Sequence, residues 1–189
     1  MLKVVGPLRR RVAVWLRACR PAPTAVDVRE GLRMVCGAFL GVGSSIAAGH
    51  LLAGPAPATA WLLAPVGASA VLVFATPASA LAQPWPVIAG NGISAFAGMA
   101  CSVALPNATL AAAFAIAAAI AAMFALRCLH PPGGAAALLA VLAHEVGGRF
   151  PLGILLFDAV LLVLFAAIYH RLTGRSYPCC QRKPLASPA

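Results

Sequence analysis

Six apolar runs follow one another along this chain, at about 32–52, 61–81, 86–105, 109–127, 131–144 and 151–170, with short polar connections between them. A membrane-crossing helix needs about 20 apolar residues, so five of the runs approach or reach spanning length. The fifth covers only about 21 Å at 1.5 Å per residue, against a hydrocarbon core of about 30 Å. It is expected to be tilted, re-entrant or shielded by its neighbours. With 62% hydrophobic residues, 10% charged residues and a mean hydropathy of +0.93, a chain of 189 residues cannot hide its apolar surface in a soluble core. The expectation is an all-α membrane protein, a bundle of about six hydrophobic helical elements with membrane lipid as its main solvent.

The formal charge of +10 would suggest nucleic acid in a soluble protein, but its placement points elsewhere. Twelve of the fourteen basic residues flank the apolar region: Lys3, Arg9, Arg10, Arg11, Arg17, Arg20, Arg29 and Arg33 before it, Arg171, Arg175, Arg182 and Lys183 after it. Because cytoplasmic flanks are rich in Lys and Arg, both termini are predicted inside and the number of crossings even. Three regions follow: a basic N-terminal arm over 1–30, a transmembrane region over 31–170 and a basic tail over 171–189. Six crossings place 83–85 and 127–130 inside, and 54–59, 106–107 and 145–149 outside. Four crossings with two re-entrant elements satisfy the same parity. The run Val12–Leu16 is too short for a signal-peptide core, so the arm is read as juxtamembrane. The six cysteines lack paired C-x-x-C spacing, which argues against a disulfide frame or a zinc site. Adjacent Cys179 and Cys180 are candidate acylation positions.

The runs are rich in Gly, Ala and Ser, which favours close helix approach. Gly37 and Gly41 form a G-x-x-x-G, read here as an intramolecular packing surface, with a homo-oligomer contact as the alternative. The chain also resembles itself at an offset of 66: Leu63, Pro65, Gly67, Ala70 and Leu72 recur as Leu129, Pro131, Gly133, Ala136 and Leu138. Each copy opens the middle element of three, so the halves read as inverted three-element repeats of the kind found in secondary transporters. Gly/Pro-interrupted segments at matching places point to a transport site near the midplane. Gly67, Ala68 and Ser69 in one half and Gly133 and Gly134 in the other are candidate substrate-binding positions. Helix starts there would offer unpaired N–H groups to an anion.

Polar residues inside the apolar runs are few. Asp158 and Asn91 occupy near-matching places in the two halves. An intramembrane carboxylate is expensive and is by default a functional candidate. Asp158 is read as a coupling candidate or as counter-ion to Arg127 or His130, and Asn91 as an interhelical donor that can also touch substrate. Arg127 and His130 flank the P-P-G-G turn, where a cation would draw anions inward. His50, His144 and His170 sit at run ends and are read as interfacial, as are Trp61 and Trp85. The serines lack a G-x-S-x-G setting and no second intramembrane acid accompanies Asp158, so no enzyme, cofactor or resident metal is expected.

The stretch Arg127-Cys-Leu-His-Pro-Pro-Gly-Gly-Ala-Ala-Ala-Leu138 resembles the signature of the HPP family of integral membrane proteins. The blocks Ala64–Leu72, Ala82–Asn91 and Arg171–Pro178 agree, so the resemblance covers about 29–178. Ala80 stands where relatives often carry proline, and Asp158 where many carry asparagine. The resemblance implies four transmembrane helices, against the six elements read from hydropathy. It also implies transport, because plant plastid members are associated with nitrite. The expected function is a plasma-membrane transporter or permease for a small inorganic anion such as nitrite. A passive anion channel and a non-transporting scaffold or regulatory subunit are the alternatives. No nucleic-acid partner is expected.

Overall fold

The computed structural model describes residues 12, 14–19, 26–53 and 63–179, the side chain of Leu63 excepted. The expectations for Trp61, the 54–59 connection, Cys180 and most of the basic arm and tail lie outside these residues. Chain contacts divide the protein into Met1–Gly31 and Leu32–Ala189. In the first unit the described residues 14–18 are helical.

Among the described residues of the second unit and the helix that leads into it, six α-helices carry the fold: α1 (Val28–Ala53), α2 (Leu63–Ala75), α3 (Asn91–Ala104), α4 (Ala108–Ala125), α5 (Gly133–Glu145) and α6 (Leu152–Leu172). No strand occurs among the described residues. Among the described residues, four helical segments are long and apolar enough to cross a membrane: Val28–Leu51, Pro86–Ala104, Ala108–Ala125 and Leu152–Leu172. The two shorter apolar helices, α2 and α5, have 13 residues each. Among the described residues the six apolar elements thus comprise four helices of spanning length and two shorter ones.

Local chemistry sets the boundaries. The Asp27 carboxylate accepts the Glu30 N–H at 2.7 Å and starts α1 four residues before the apolar run, so Arg29 and Arg33 lie on the helix. The second element was expected to reach residue 81 but α2 ends at Ala75. Thr76 precedes Pro77, whose ring disfavours a helical Thr76, and a 3₁₀ turn at Ala80–Ala82 follows. Pro86 then opens a π-turn, Pro86–Gly90, that runs straight into α3. The Asn107 side chain accepts the Leu110 N–H at 2.9 Å and caps α4. Gly147, at φ +71°, supplies the left-handed residue that closes α5.

Hydrogen bonds between ends give the chain direction. Arg33 near the start of α1 meets His170 near the end of α6 and the Phe74 carbonyl near the end of α2. Trp85, before α3, reaches the Leu126 carbonyl after α4, and His130, before α5, reaches the Leu81 carbonyl. One end of the bundle thus gathers the starts of α1, α3 and α5 and the ends of α2, α4 and α6. The six helices alternate in direction, and α2 opposes α5, as inverted halves require.

Packing follows side-chain size, because lipid is as apolar as the interior and close van der Waals fit is what drives helices together. Gly90, Ser94 and Gly98 recur every four residues on one side of α3 and its π-turn. Added Cβ atoms at Gly90, Gly98 and Gly133 would strike His130 and the Cys128 carbonyl, Ala137 and Ala140, and Ser94 and the Gly90 carbonyl respectively. Since Gly133 meets Gly90 and Ser94 while Ala137 and Ala140 meet Gly98, α3 and α5 run parallel. On α4 the stripe Ala111, Ala115, Ala119 and Met123 is buried, whereas Phe114, Ile120 and Phe124 face outward. Gly37 and Gly41 of α1 admit the Phe74 ring and approach Tyr169 and Leu162, so this G-x-x-x-G packs within the chain.

Candidate functional site

Three of the residues singled out in the sequence meet in the interior. Ser69 in mid-α2, Asn91 at the first turn of α3 and His130 before α5 are 0–2% exposed. His130 Nδ1 lies 2.8 Å from the Leu81 carbonyl, which can only accept, so Nδ1 carries the hydrogen. In the neutral ring Nε2 is then the acceptor, and the Ser69 hydroxyl donates to it at 2.8 Å. Ser69 Oγ in turn accepts Asn91 Nδ2–H at 3.2 Å, and the other Nδ2 hydrogen goes to the Val87 carbonyl at 2.9 Å, inside the π-turn. The chain Asn91→Ser69→His130→Leu81 therefore has a single direction, set by two backbone carbonyls. It joins α2, α3 and the turn before α5, and so links the two halves.

Burial pushes the His130 pKa down to about 4, outweighing the Leu81 carbonyl, which raises it. The ring is neutral at neutral pH, as the tautomer requires. The Asn91 Oδ1 atom, by contrast, is buried without a hydrogen-bond partner, and Asp158 Oδ1 and Ser45 Oγ share that condition. A buried polar atom left unpaired costs about 1–3 kcal/mol, so three such atoms in one small bundle call for an explanation.

The remaining candidates are placed differently. Gly133 starts α5 as expected, but its amide is not free. The N–H groups of Gly133, Gly134, Ala135 and Ala136 bond back to the carbonyls of His130, Pro131 and Pro132 at 2.9–3.4 Å. The anion cradle expected at this helix start is closed, because a tight turn precedes the helix and consumes its first donors. Gly134 makes ordinary contact with Ile116 of α4. Gly67 does not open its helix: α2 begins at Leu63 and Gly67 lies one turn inside, with no atom within 4 Å of where its Cβ would stand. Ala68 is exposed on the outer face of α2. Arg127 is exposed too, at φ +53°, and lines an open groove of about 480 Å³ with Leu81, Pro86, Met123 and Leu129. With Arg127 at the surface and both His130 nitrogens engaged, the counter-ion reading of Asp158 is not the observed arrangement.

His170 corrects another expectation. It is fully buried rather than interfacial: Nε2 donates to the Val73 carbonyl at 2.9 Å, Nδ1 accepts from Arg33 Nη1 at 2.9 Å, and the ring stacks on Phe74. Together His170 and Arg33 cap the last carbonyls of α2, which that helix cannot satisfy itself. The tail continues this packing, because Tyr177 is buried and its hydroxyl donates to the Ala82 carbonyl at 2.9 Å. His50 and His144 are exposed. Sequence reasoning passed over Gly90 and Gly98 as packing positions and weighed Ser45 and Ser94 only as hydrolase nucleophiles. The four-residue spacing from Gly90 to Ser102 was a readable signal for Gly90, Ser94 and Gly98, whereas nothing local distinguishes Ser45 from Ser44.

Comparison with known proteins agrees with this architecture. Two curated relatives, both described as transmembrane proteins of Dictyostelium discoideum, are 42% identical over 91 residues and 38% identical over 125 residues. The matches cover 46% and 62% of this chain, but only 29% and 44% of those relatives, so the chain spans less than half the length of either. No solved structure matches it. The family described as HPP, transmembrane region, matches residues 23–178. This multi-pass, all-helical membrane protein belongs to the HPP family.

Proposed function

We propose that this chain is a transporter or permease for a small inorganic anion such as nitrite, and not an enzyme. It resides in the plasma membrane with both termini in the cytoplasm, the side favoured by its basic flanks. The observation that carries the reading is the polar chain Asn91–Ser69–His130, built at the junction of two oppositely directed halves in an otherwise apolar bundle. Polar and ionisable side chains in a membrane interior are costly and mark substrate pathways as well as helix contacts. The groove beside Arg127 supplies an approach from the basic end, with Leu81 between it and His130. Because the α5 amides are already bonded, substrate contact falls to side chains, with Ser69, Asn91 and His130 as the ligand-facing set.

The test is nitrite flux into proteoliposomes containing the purified chain, compared with empty vesicles. His130→Gln and Ser69→Ala, checked for retained folding, are expected to lower flux at least tenfold, while Ala68→Ser leaves it unchanged. If no small anion enters faster than into empty vesicles, the reading fails. Discrete single-channel currents without ion coupling would assign the same pathway to a channel.

A further inference from the structure

The three buried atoms that lack partners, Ser45 Oγ, Asn91 Oδ1 and Asp158 Oδ1, come from three different helices, and the contacts around them point to a shared depth in the bundle. On α2 and α6, which run parallel, Val66 and Leu155 share one core cluster, while Ala70, Val73, Ala159 and Leu162 share the next. Ser69, between Val66 and Ala70, and Asp158, between Leu155 and Ala159, each lie between members of these two clusters. On α3, Asn91 lies between Val87 of the second cluster and Ala95 of the first, and its neighbour Gly92 faces Leu156. Asn91 also bonds Ser69 directly. On α1, Gly37 approaches Phe74 and Tyr169 and Gly41 approaches Phe74 and Leu162, a register that directs the buried Ser45, one turn on, toward the turn of α6 that carries Asp158.

The chemistry at this level is one-sided. Ser45, Asn91 and Asp158 are 1%, 2% and 4% exposed, so water does not replace the missing partners. Ser44 and Ser102 close onto carbonyls of their own helices at 2.9 Å, the usual resolution for a helical serine, but Ser45 does not. Asn91 has both amide hydrogens spent, leaving a bare carbonyl oxygen. The facing stretches, α1 from Gly41 to Gly49, α2 from Val66 to Val73 and the segment Val87 to Ala95, contain no titratable side chain. The adjoining titratable group is His130, reached through Ser69, and both of its ring nitrogens are held in hydrogen bonds. An ionised Asp158 would face no positive charge, the costliest arrangement a membrane interior can hold. What the cluster lacks is a positive particle shared among oxygens.

We propose that Asp158, Asn91 and Ser45 form a binding site for a small monovalent cation. The occupant is a proton, bridging Asp158 Oδ1 and Asn91 Oδ1, or a sodium ion held by the three oxygens. Through Asn91 the occupant would touch the chain that ends on His130, which makes the site a coupling point between cation and substrate. Cation occupancy stands independently of the anion reading, and its test uses no flux.

The experiment uses the full chain in lipid nanodiscs. Infrared spectra at neutral pH look for a protonated-carboxyl band that shifts in D₂O and disappears in Asp158→Asn, a nearly isosteric change. In parallel, melting temperature is titrated with sodium chloride against choline chloride at constant ionic strength. A carboxyl band without a sodium effect assigns the proton. A saturable sodium-dependent rise in melting temperature, lost in Asp158→Asn, assigns sodium. In case Asp158→Asn does not fold, Ser45→Ala removes only a hydroxyl. It is expected to shift the carboxyl band or to raise the half-saturating sodium concentration at least threefold. Absence of both the band and the sodium effect in the unaltered protein overturns the proposal.

Discussion

The parallel contact between α3 and α5 can be tested by adding one methyl group at two glycines whose surroundings are opposite. At Gly98 a Cβ would press on the Ala137 carbonyl and stand 2.8 Å from Ala140 Cβ. The first obstacle is backbone, so no rotamer change relieves it, and the two helices must separate by roughly 1 Å. Overpacking of this kind costs about 1–3 kcal/mol, from which helix propensity returns up to about 1 kcal/mol. With the full return, the net loss of up to about 2 kcal/mol corresponds to a fall in melting temperature of up to about 8 °C for a chain of this size. At Gly67 no atom lies within 4 Å of the added carbon, so Gly67→Ala keeps the propensity gain and is expected to raise the melting temperature by about 1–4 °C. Circular dichroism during heating in detergent measures both, with retention on a sizing column as a second reading. If Gly98→Ala melts at or above the parent, or the two variants move together, the close approach of α3 and α5 is wrong.

The depressed pKa of His130 sets a pH window. The folded value of about 4 lies below the unfolded value of about 6.5, so the stabilisation is complete above pH 6.5 and is lost as pH falls toward 4. The amount at stake is about 3 kcal/mol, and melts at several pH values should show a steeper acid slope in the parent than in His130→Gln. Ser69→Ala strands His130 Nε2 and one Asn91 hydrogen, so a loss of about 2–4 kcal/mol is expected from denaturation in mixed micelles; a loss below 0.5 kcal/mol would mean the polar chain is not formed. Arg33→Met removes the donor to His170 Nδ1 and to the Phe74 carbonyl, and should cost about 1–3 kcal/mol by the same measurement. Tyr177→Phe leaves the Ala82 carbonyl without its donor, and a loss of about 1–2 kcal/mol with faster proteolysis of the tail is the expected result.

The number and order of the helices were legible in the sequence because runs of apolar residues have one outcome in lipid. The length of α5 was legible for the same reason, through the 1.5 Å rise per residue. The end of α2 was miscounted because hydropathy continues through Ala80 and Leu81, while the ring of Pro77 breaks the helix regardless. The site divides in the same way. Residue types marked Asn91 and Asp158 as costly in a membrane, the P-P-G-G turn marked His130, and a repeat pointed to the α2 and α5 region. Their grouping was not readable, since Ser69 meets His130 across 61 positions and His130 meets Leu81 across 49. The unpaired amides expected at Gly133 were wrong because the turn before α5 uses those donors, a matter of dihedral angles that composition does not record.

Sequence by itself determined the solvent, the helix count and the list of polar residues that the membrane would have to accommodate. The tertiary structure decided which way each helix faces, and hence which polar atoms find partners. In water an apolar stripe on a polar helix announces its inward face; α4 is apolar all round, and α6 is so apart from Asp158 and its last turn, so that signal fades and small size, as at Ala111 and Ala115 or Gly90 and Gly98, marks the interior. Helix rotation is then settled by fit between neighbours. That fit buries His170 against Arg33 and leaves Ser45, Asn91 and Asp158 with oxygens still to be matched.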